Sequence, residues 1–432
     1  MSMTKSCNLD DFEIVDGELR KYKGNEAKVV IPDGVTSIGG DAFRGYLKLE
    51  AVIIPDSVTS IGACAFLWCR KLKEINIPNG VTSIGFSAFS DCVDLNYNIK
   101  DELKYLGDSN NPYLYLAGTT STDISVANID GNCKFIGDFA FEDCSNLSRI
   151  NIPDNVISIQ GNSFSGCKNL HYNVKDNLKY LGNTNNPYMC LITPPRDAYT
   201  LSAIKSANID GNCRLIADEA FHDCRVLEKV IIPDSVTIIG RQVFRHCEKL
   251  KEIQVGKNNL AYKSVGGGLY SKNGKTLIVV TAGKKLSSFK ISMGVTSIAD
   301  YAFSYCSHLK KVVIPDSVTS IGLGAFERCC KLESINIPDS VTNMTGVIFS
   351  WCTKLTSATI GKGVTWISER AFLKCDSLKK VTFCDDQGWY ATTDDEKFRR
   401  RVGGKRIDFS DPEKNAEYLK TRRVGDARIY KI

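Results

Sequence analysis

The sequence repeats with a period of 23 residues, and the unit is visible by eye: Val58-Thr-Ser-Ile-Gly62, then Ala65-Phe66, Cys69, Leu72, Ile75, Ile77 and Pro78, before Val81 opens the next copy. A fixed period of this length means a solenoid, because one unit is too small to bury its own apolar side chains and must stack on its neighbours. Eleven units open at Val35, Val58, Val81, Cys133, Val156, Cys213, Val236, Val295, Val318, Val341 and Val364, and account for 253 of the 432 residues. A stack of coils has no ceiling on core size, so one elongated domain is expected despite the length.

Within a unit, Glu74 to Ile77 alternates polar and apolar residues, which predicts a strand with Leu72, Ile75 and Ile77 facing inward. Pro78-Asn-Gly80 breaks it, and Val81 to Ile84 predicts a second, shorter strand. Gly85 then turns the chain into Ser87 to Cys92, where the Ala, Phe and Cys spacing suits a short helical or 3-10 turn. The phenylalanines of successive units, Phe43, Phe66, Phe89, Phe141, Phe164, Phe221, Phe244, Phe303, Phe326, Phe349 and Phe372, are the predicted core column.

Three insertions interrupt the period, near residues 96–132, 171–212 and 255–294 of a solenoid spanning 35–386. The first two are copies: Tyr97 to Gly107 with Asn110-Asn-Pro-Tyr113 matches Tyr172 to Gly182 with Asn185-Asn-Pro-Tyr188. The third carries Asn273-Gly274, a tight-turn signal, and all three read as β-hairpins. Residues 1–34 are expected to cap one end, with a hairpin from Phe12 to Tyr22. Residues 387–432 are expected to cap the other with Trp389, Tyr390 and a helix over Asp411 to Lys420, and to end in a basic tail.

The net charge of +6, from 55 basic and 49 acidic residues, favours solubility and gives no reason to expect nucleic acid as a partner. There is no apolar leader, no stretch able to span a bilayer and no lipidation motif, so a cytoplasmic protein is expected. Ten of the seventeen cysteines fall three residues after a repeat Phe, which predicts buried, reduced thiols in a column with raised pKa values and not a disulfide ladder.

No catalytic motif stands outside the repeat pattern. Gly274-Lys275-Thr276 ends like a phosphate-binding loop, but Leu269 occupies the place of its first glycine. His222 with Cys224 and His246 with Cys247 sit in neighbouring units, yet these cysteines belong to the inward column, so no metal and no cofactor are expected. What remains is binding. The outward strand positions on the concave face are Glu74 and Asn76, Arg149 and Asn151, Lys229 and Ile231, Glu252 and Gln254, Lys311 and Val313, and Ser334 and Asn336. Their mixture of charge and apolar surface suits a protein partner, with the chain itself a monomer. Tyrosines cluster in the duplicated insertions; Tyr105, Tyr113, Tyr180 and Tyr188 are either contact anchors or packing residues, and Tyr199 belongs to the same group.

Units of the form Ile-Pro-Asp-Ser-Val-Thr-Ser-Ile-Gly-x-x-Ala-Phe-x-x-Cys-x-x-Leu, seen from Ile54, Ile314 and Ile337, resemble the BspA-like leucine-rich repeat proteins over nearly the whole chain. The resemblance implies a right-handed leucine-rich repeat superhelix, mostly β, acting as a non-catalytic protein-protein interaction scaffold. It also implies an alternative, a cell-surface or secreted adhesin that binds host matrix proteins or other cells. A carbohydrate-binding module at the tyrosine-rich insertions is a further alternative.

Overall fold

The computed structural model describes residues 8–192, 204–344, 346–368, 370–392, 405–421 and 428–431; Tyr199 and much of the basic tail lie outside them. The backbone divides into two compact units, one of residues 1–174 and 179–195, the other of 175–178 and 196–432. Both are leucine-rich repeat solenoids built from the same coil.

In each coil the longer strand and the Ser-Ile strand pair in parallel with their counterparts one period away. In the first unit Ser37-Ile38 pairs with Ser60-Ile61, and that with Ser83-Ile84, while Lys28–Val30 pairs with Ala51–Ile53. Two narrow sheets therefore face each other across a core of Val, Ile, Leu and Phe side chains. The consensus serine before each valine also has a structural task. Ser57, Ser235, Ser317 and Ser340 each donate to the carbonyl of the valine or cysteine that opens the preceding unit, at 2.5–2.7 Å.

The Ala-Phe-Cys segment is a chain of 3-10-type turns and not a continuous helix. The Ala88 and Cys92 N–H groups bond three residues back, to Gly85 and Phe89, whereas Phe66 in the coil before donates to the Ala88 carbonyl at 2.8 Å. Left-handed residues at Ser87 (φ 51°) and Asp91 (φ 59°) make this alternation possible by turning peptide groups along the stack. The same pair of positions is left-handed in most coils, for example Glu219 and Asp223, Tyr301 and Tyr305. Left-handed backbone is costly for residues with a Cβ, so the inter-coil bonds must outweigh it. The repeat glycine before this segment answers a different demand: a Cβ on Gly85 would lie 2.1 Å from the Ala63 nitrogen of the coil behind.

The phenylalanines stack face to face in runs. Phe43, Phe66 and Phe89 lie 5.0 and 5.7 Å apart, and Phe303, Phe326, Phe349 and Phe372 follow one another at 4.8–5.3 Å. Shorter runs join Phe141 to Phe164 and Phe221 to Phe244. The column is thus not continuous. At the first insertion Tyr115 takes the next place and meets Phe89 edge-on.

Where the preceding coil is complete, the column cysteine sits under its Phe and donates its S–H to that coil's Phe carbonyl. Cys69 bonds to Phe43, Cys92 to Phe66, Cys329 to Phe303 and Cys352 to Phe326, at 3.0–3.2 Å. After an insertion that carbonyl is missing, so Cys144 contacts the Thr119 hydroxyl and Cys306 the Val280 carbonyl, at 3.7 and 3.9 Å. All sixteen described cysteines are free thiols. Burial pushes Cys69, Cys92, Cys167, Cys224 and Cys306 up to about 12. At pH 8 only about one such thiol in ten thousand is a thiolate, the reactive form. A maleimide is therefore expected to label exposed Cys384 within minutes and to leave the column untouched until denaturant is added. Fast labelling of Cys329 or Cys352 in the native protein would contradict this.

The insertions are antiparallel meanders whose last strand takes the place of a Ser-Ile strand. In the first, Asn98–Lys100, Leu103–Leu106 and Tyr115–Thr119 pair in order, and Tyr115-Leu116 then runs parallel to Phe135-Ile136. In the third, Tyr262–Val265, Gly268–Ser271 and Thr276–Val280 do the same before Ser297-Ile298. In the second, Lys179–Leu181 pairs with Cys190–Ile192. The strand of a coil is replaced but its Ala-Phe-Cys turn is not, which is why the Phe column breaks there.

Both described ends are covered. Phe12–Val15 and Glu18–Tyr22 form the N-terminal hairpin, and Tyr22 stacks on Phe43 at 5.4 Å. At the other end the helix Pro412–Thr421 is capped by Asp411, whose carboxylate accepts from the Glu413 and Lys414 N–H groups. Buried Asn415 ties the helix to the Val381 and Phe409 carbonyls, and Phe409 stacks on Phe383.

Candidate functional site

The outward side chains of the longer strands form two rows. In the second unit Ser288, Lys311, Ser334, Ser357 and Lys380 share one register, and Lys290 with Val313, and Asn336 with Thr359 and Thr382, share the next. Alternation forces this: Phe289, Val312, Ile335, Ala358 and Val381, between them, are buried. Lys311, Val313, Ser334 and Asn336 are exposed as expected, Val313 by 42%. The sequence reading missed Ser288, Lys290, Ser357, Thr359, Lys380 and Thr382, although the same period and alternation locate them.

A neighbouring sheet in the same unit aligns Lys229 with Glu252 and Ile231 with Gln254. Here the surface is pinned by polar contacts along the rows: Lys229 pairs with Glu252 at 3.2 Å, and the Gln254 amide donates to Glu252 at 2.7 Å. Lys229 and Ile231 are only half-exposed.

In the first unit Glu74 and Arg149 are exposed and Asn151 is half-buried. Asn76 needs correction as a binding residue. Its amide turns back on the preceding coil, accepting from the Ile54 N–H and donating to the Ile54 carbonyl, both at 2.7 Å. These bonds stand in for the strand ladder, which stops at Ile75. Val30 and Ile53, adjacent in register and each 40% exposed, supply apolar surface on the same sheet.

The insertion tyrosines divide by burial. Tyr105 and Tyr180 are fully buried, so they are packing residues and not contact anchors. The Tyr105 hydroxyl accepts from the Asp130 N–H at 3.1 Å, and Tyr113 and Tyr188 pack edge-on against Tyr105 and Tyr180, each half-exposed. Lys100 lies over the Tyr113 ring and pairs with nearly buried Asp130 at 2.6 Å. That contact holds the Asp130 carboxyl below its ordinary value against the opposing effect of burial.

Six copies of the BspA-type leucine-rich repeat region match residues 21–110, 119–186, 195–273 and 281–389. The chain belongs to the BspA-type leucine-rich repeat family. Among solved structures, it is similar to a leucine-rich repeat protein of Eubacterium ventriosum at 22% identity, with 66% of this chain and 84% of that one covered and a TM-score of 0.41. It is also similar to a leucine-rich cell surface protein of Faecalibacterium prausnitzii (25% identity, 88% and 92% covered, TM-score 0.34). The pneumococcal vaccine antigen PcpA is a third (19% identity, 85% and 80% covered, TM-score 0.34). No curated protein matches the sequence.

Within this BspA-type chain, the turn edge of the second unit also carries a cluster of charged and aromatic groups. Where the third insertion leaves out a turn, a pocket of about 340 Å³ opens beside Arg241, Arg245, Tyr262, Asp300 and Tyr301. Its charges are occupied with one another. Arg241 binds Asp218 through its backbone and guanidinium, Arg245 lies over the Tyr301 ring at 4.1 Å and 3.8 Å from Glu327, and Asp300 accepts from the Leu323 N–H at 2.7 Å. Burial pushes both Asp218 and Asp300 up.

Next to it the second left-handed position of successive coils forms a ladder. Asp223 bonds to His246 at 2.8 Å, His246 meets the Tyr305 ring edge-on at 4.8 Å, and Arg328 lies over both Tyr305 and Trp351. Lys374 also lies over the Trp351 ring, at 5.7 Å. His222, which sequence reading paired with Cys224, instead joins this ladder; the column cysteines point inward. Burial lowers the His246 pKa against the raising effect of the Asp223 hydrogen bond.

Proposed function

We propose that the chain is a non-catalytic protein-binding scaffold whose recognition surface is the outward face of its longer strands. The observation that supports this is the two-row register over Ser288 to Thr382. Five coils present side chains at a fixed spacing, uncommitted to the core, with Lys311 and Lys380 in one row and Lys290 and apolar Val313 in the other. A rigid array of varied residues on an invariant frame suits one extended protein partner, because the frame bears the ordering entropy before binding. Its three lysines alternate with hydroxyl, amide and apolar side chains, a composition that suits a protein partner.

The test is charge reversal at Lys311 and Lys380 together. Once a partner has been captured from the native environment, this change is expected to weaken its binding at least tenfold while the thermal midpoint moves by less than about 2 °C, the usual outcome of surface substitutions. Unchanged affinity would place recognition elsewhere.

Family membership also supports a more specific form of this role, a cell-surface or secreted adhesin. Among the described residues no helix is long and apolar enough to cross a membrane. Protease added to intact cells separates the two forms: digestion is expected of an adhesin, protection of an internal scaffold. A sugar found bound at the half-exposed Tyr113 or Tyr188 would favour the carbohydrate-binding reading instead.

A further inference from the structure

We propose that His222, Asp223 and His246 form a binding site for one divalent transition-metal ion of the zinc class. The three residues offer one ligand atom each within 4.8 Å of one another. His246 Nδ1 and Asp223 Oδ1 are 2.8 Å apart, and His222 Nε2 is 3.6 Å from Asp223 Oδ2. Ligands around a tetrahedral zinc at 2.0–2.1 Å are about 3.4 Å apart, so holding an ion requires side-chain adjustments on the order of 1 Å.

The observation that points to a ligand is the His222 ring. Its side chain is 10% exposed, and Nε2 is buried with no hydrogen-bond partner while aimed at Asp223. Its other nitrogen, Nδ1, lies 3.5 Å from the Glu219 carboxylate. A carboxylate behind one imidazole nitrogen holds the proton there and leaves the opposite lone pair free, the arrangement that orients metal-bound histidines. The two imidazoles come from adjacent coils and their ring centroids are 5.0 Å apart. Two nitrogens and one carboxylate oxygen suit zinc, nickel or copper better than magnesium or calcium, which favour all-oxygen sites. The Asp223 carboxylate is also touched by Arg225 at 3.3 Å. That arginine is well exposed and is free to leave when an ion enters, and a water molecule then completes the coordination.

The full-length protein, kept reduced, is titrated with zinc chloride and then with cobalt chloride. One equivalent is expected to bind with a micromolar or tighter dissociation constant. His222→Gln and His246→Ala should each weaken it at least tenfold, while Cys330→Ser and Cys384→Ser leave it unchanged. The cobalt complex of the unsubstituted protein should show visible bands of nitrogen and oxygen coordination without thiolate charge-transfer bands. That spectrum decides the matter even if a histidine variant fails to fold. Absence of a retained ion, equal affinity in the histidine variants, or thiolate bands would overturn the assignment and leave only the His246–Asp223 hydrogen bond with His222 packed beside it.

Discussion

Replacing Phe326 by Ala is expected to destabilise the second unit by about 3–5 kcal/mol, the usual cost of removing a buried phenylalanine from a core that does not collapse around the hole. Phe326 is fully buried and stacked on both sides, at 4.8 Å from Phe303 and 5.3 Å from Phe349. Collapse is prevented by the strands and turns of three coils, which are hydrogen-bonded on either side and fix the spacing. Lys311→Ala, on the exposed face of the same unit, should change stability by less than about 0.5 kcal/mol. Urea unfolding followed by the fluorescence of Trp351, Trp366 and Trp389 reads the second unit, and equal midpoints for the two variants would refute the inward and outward assignment.

The second large effect is expected at Gln160, where Leu should cost about 3 kcal/mol or more. At the first insertion the stack lacks a turn, and Gln160 bridges the gap. Its amide nitrogen donates to the Ile84 and Gly85 carbonyls at 2.9 and 3.2 Å, and its oxygen accepts from the Asp138 N–H at 3.0 Å. Asp138 in turn accepts from the Ser87 N–H at 2.5 Å. Leu fills a similar volume but removes all three bonds from a buried position, each worth about 1 kcal/mol or more. Trp68 fluorescence reports the first unit, with exposed Lys168→Ala as the control. A leucine variant as stable as the parent would mean that water or a shifted backbone satisfies those groups.

These two residues also mark how far sequence reading reaches. Phe326 belongs to a period, and a period carries its own burial prediction, because every copy must bury the same face. The cysteine column was legible for the same reason, whereas the insertions, expected as β-hairpins, fold as antiparallel meanders in the first and third cases. Gln160 was not, since it occupies the position that is glycine in Gly62 and Gly85, and nothing in its neighbours announces that a coil further back in the stack lacks its turn. Asn76 misled for a related reason. Outward spacing made it a contact residue, but its short amide finds the Ile54 backbone first.

The candidate site shows the same division. The strand rows follow from alternation, so part of them was named from the sequence and the rest was within reach. The cluster of His222, Asp223 and His246 was not. The two histidines are 24 residues apart, one more than the period, so the same column cannot hold both, and their adjacency depends on left-handed backbone at Asp223 and His246.

Periodicity alone therefore settles the repeating coil, its buried face and its free thiols, because a chain that must stack on itself has one way to hide the same apolar residues in every copy. Only the folded stack decides what happens where copies are missing or misaligned. There the nearest partners come from coils a full turn or more away, and the distances between polar side chains depend on turns that no local pattern encodes.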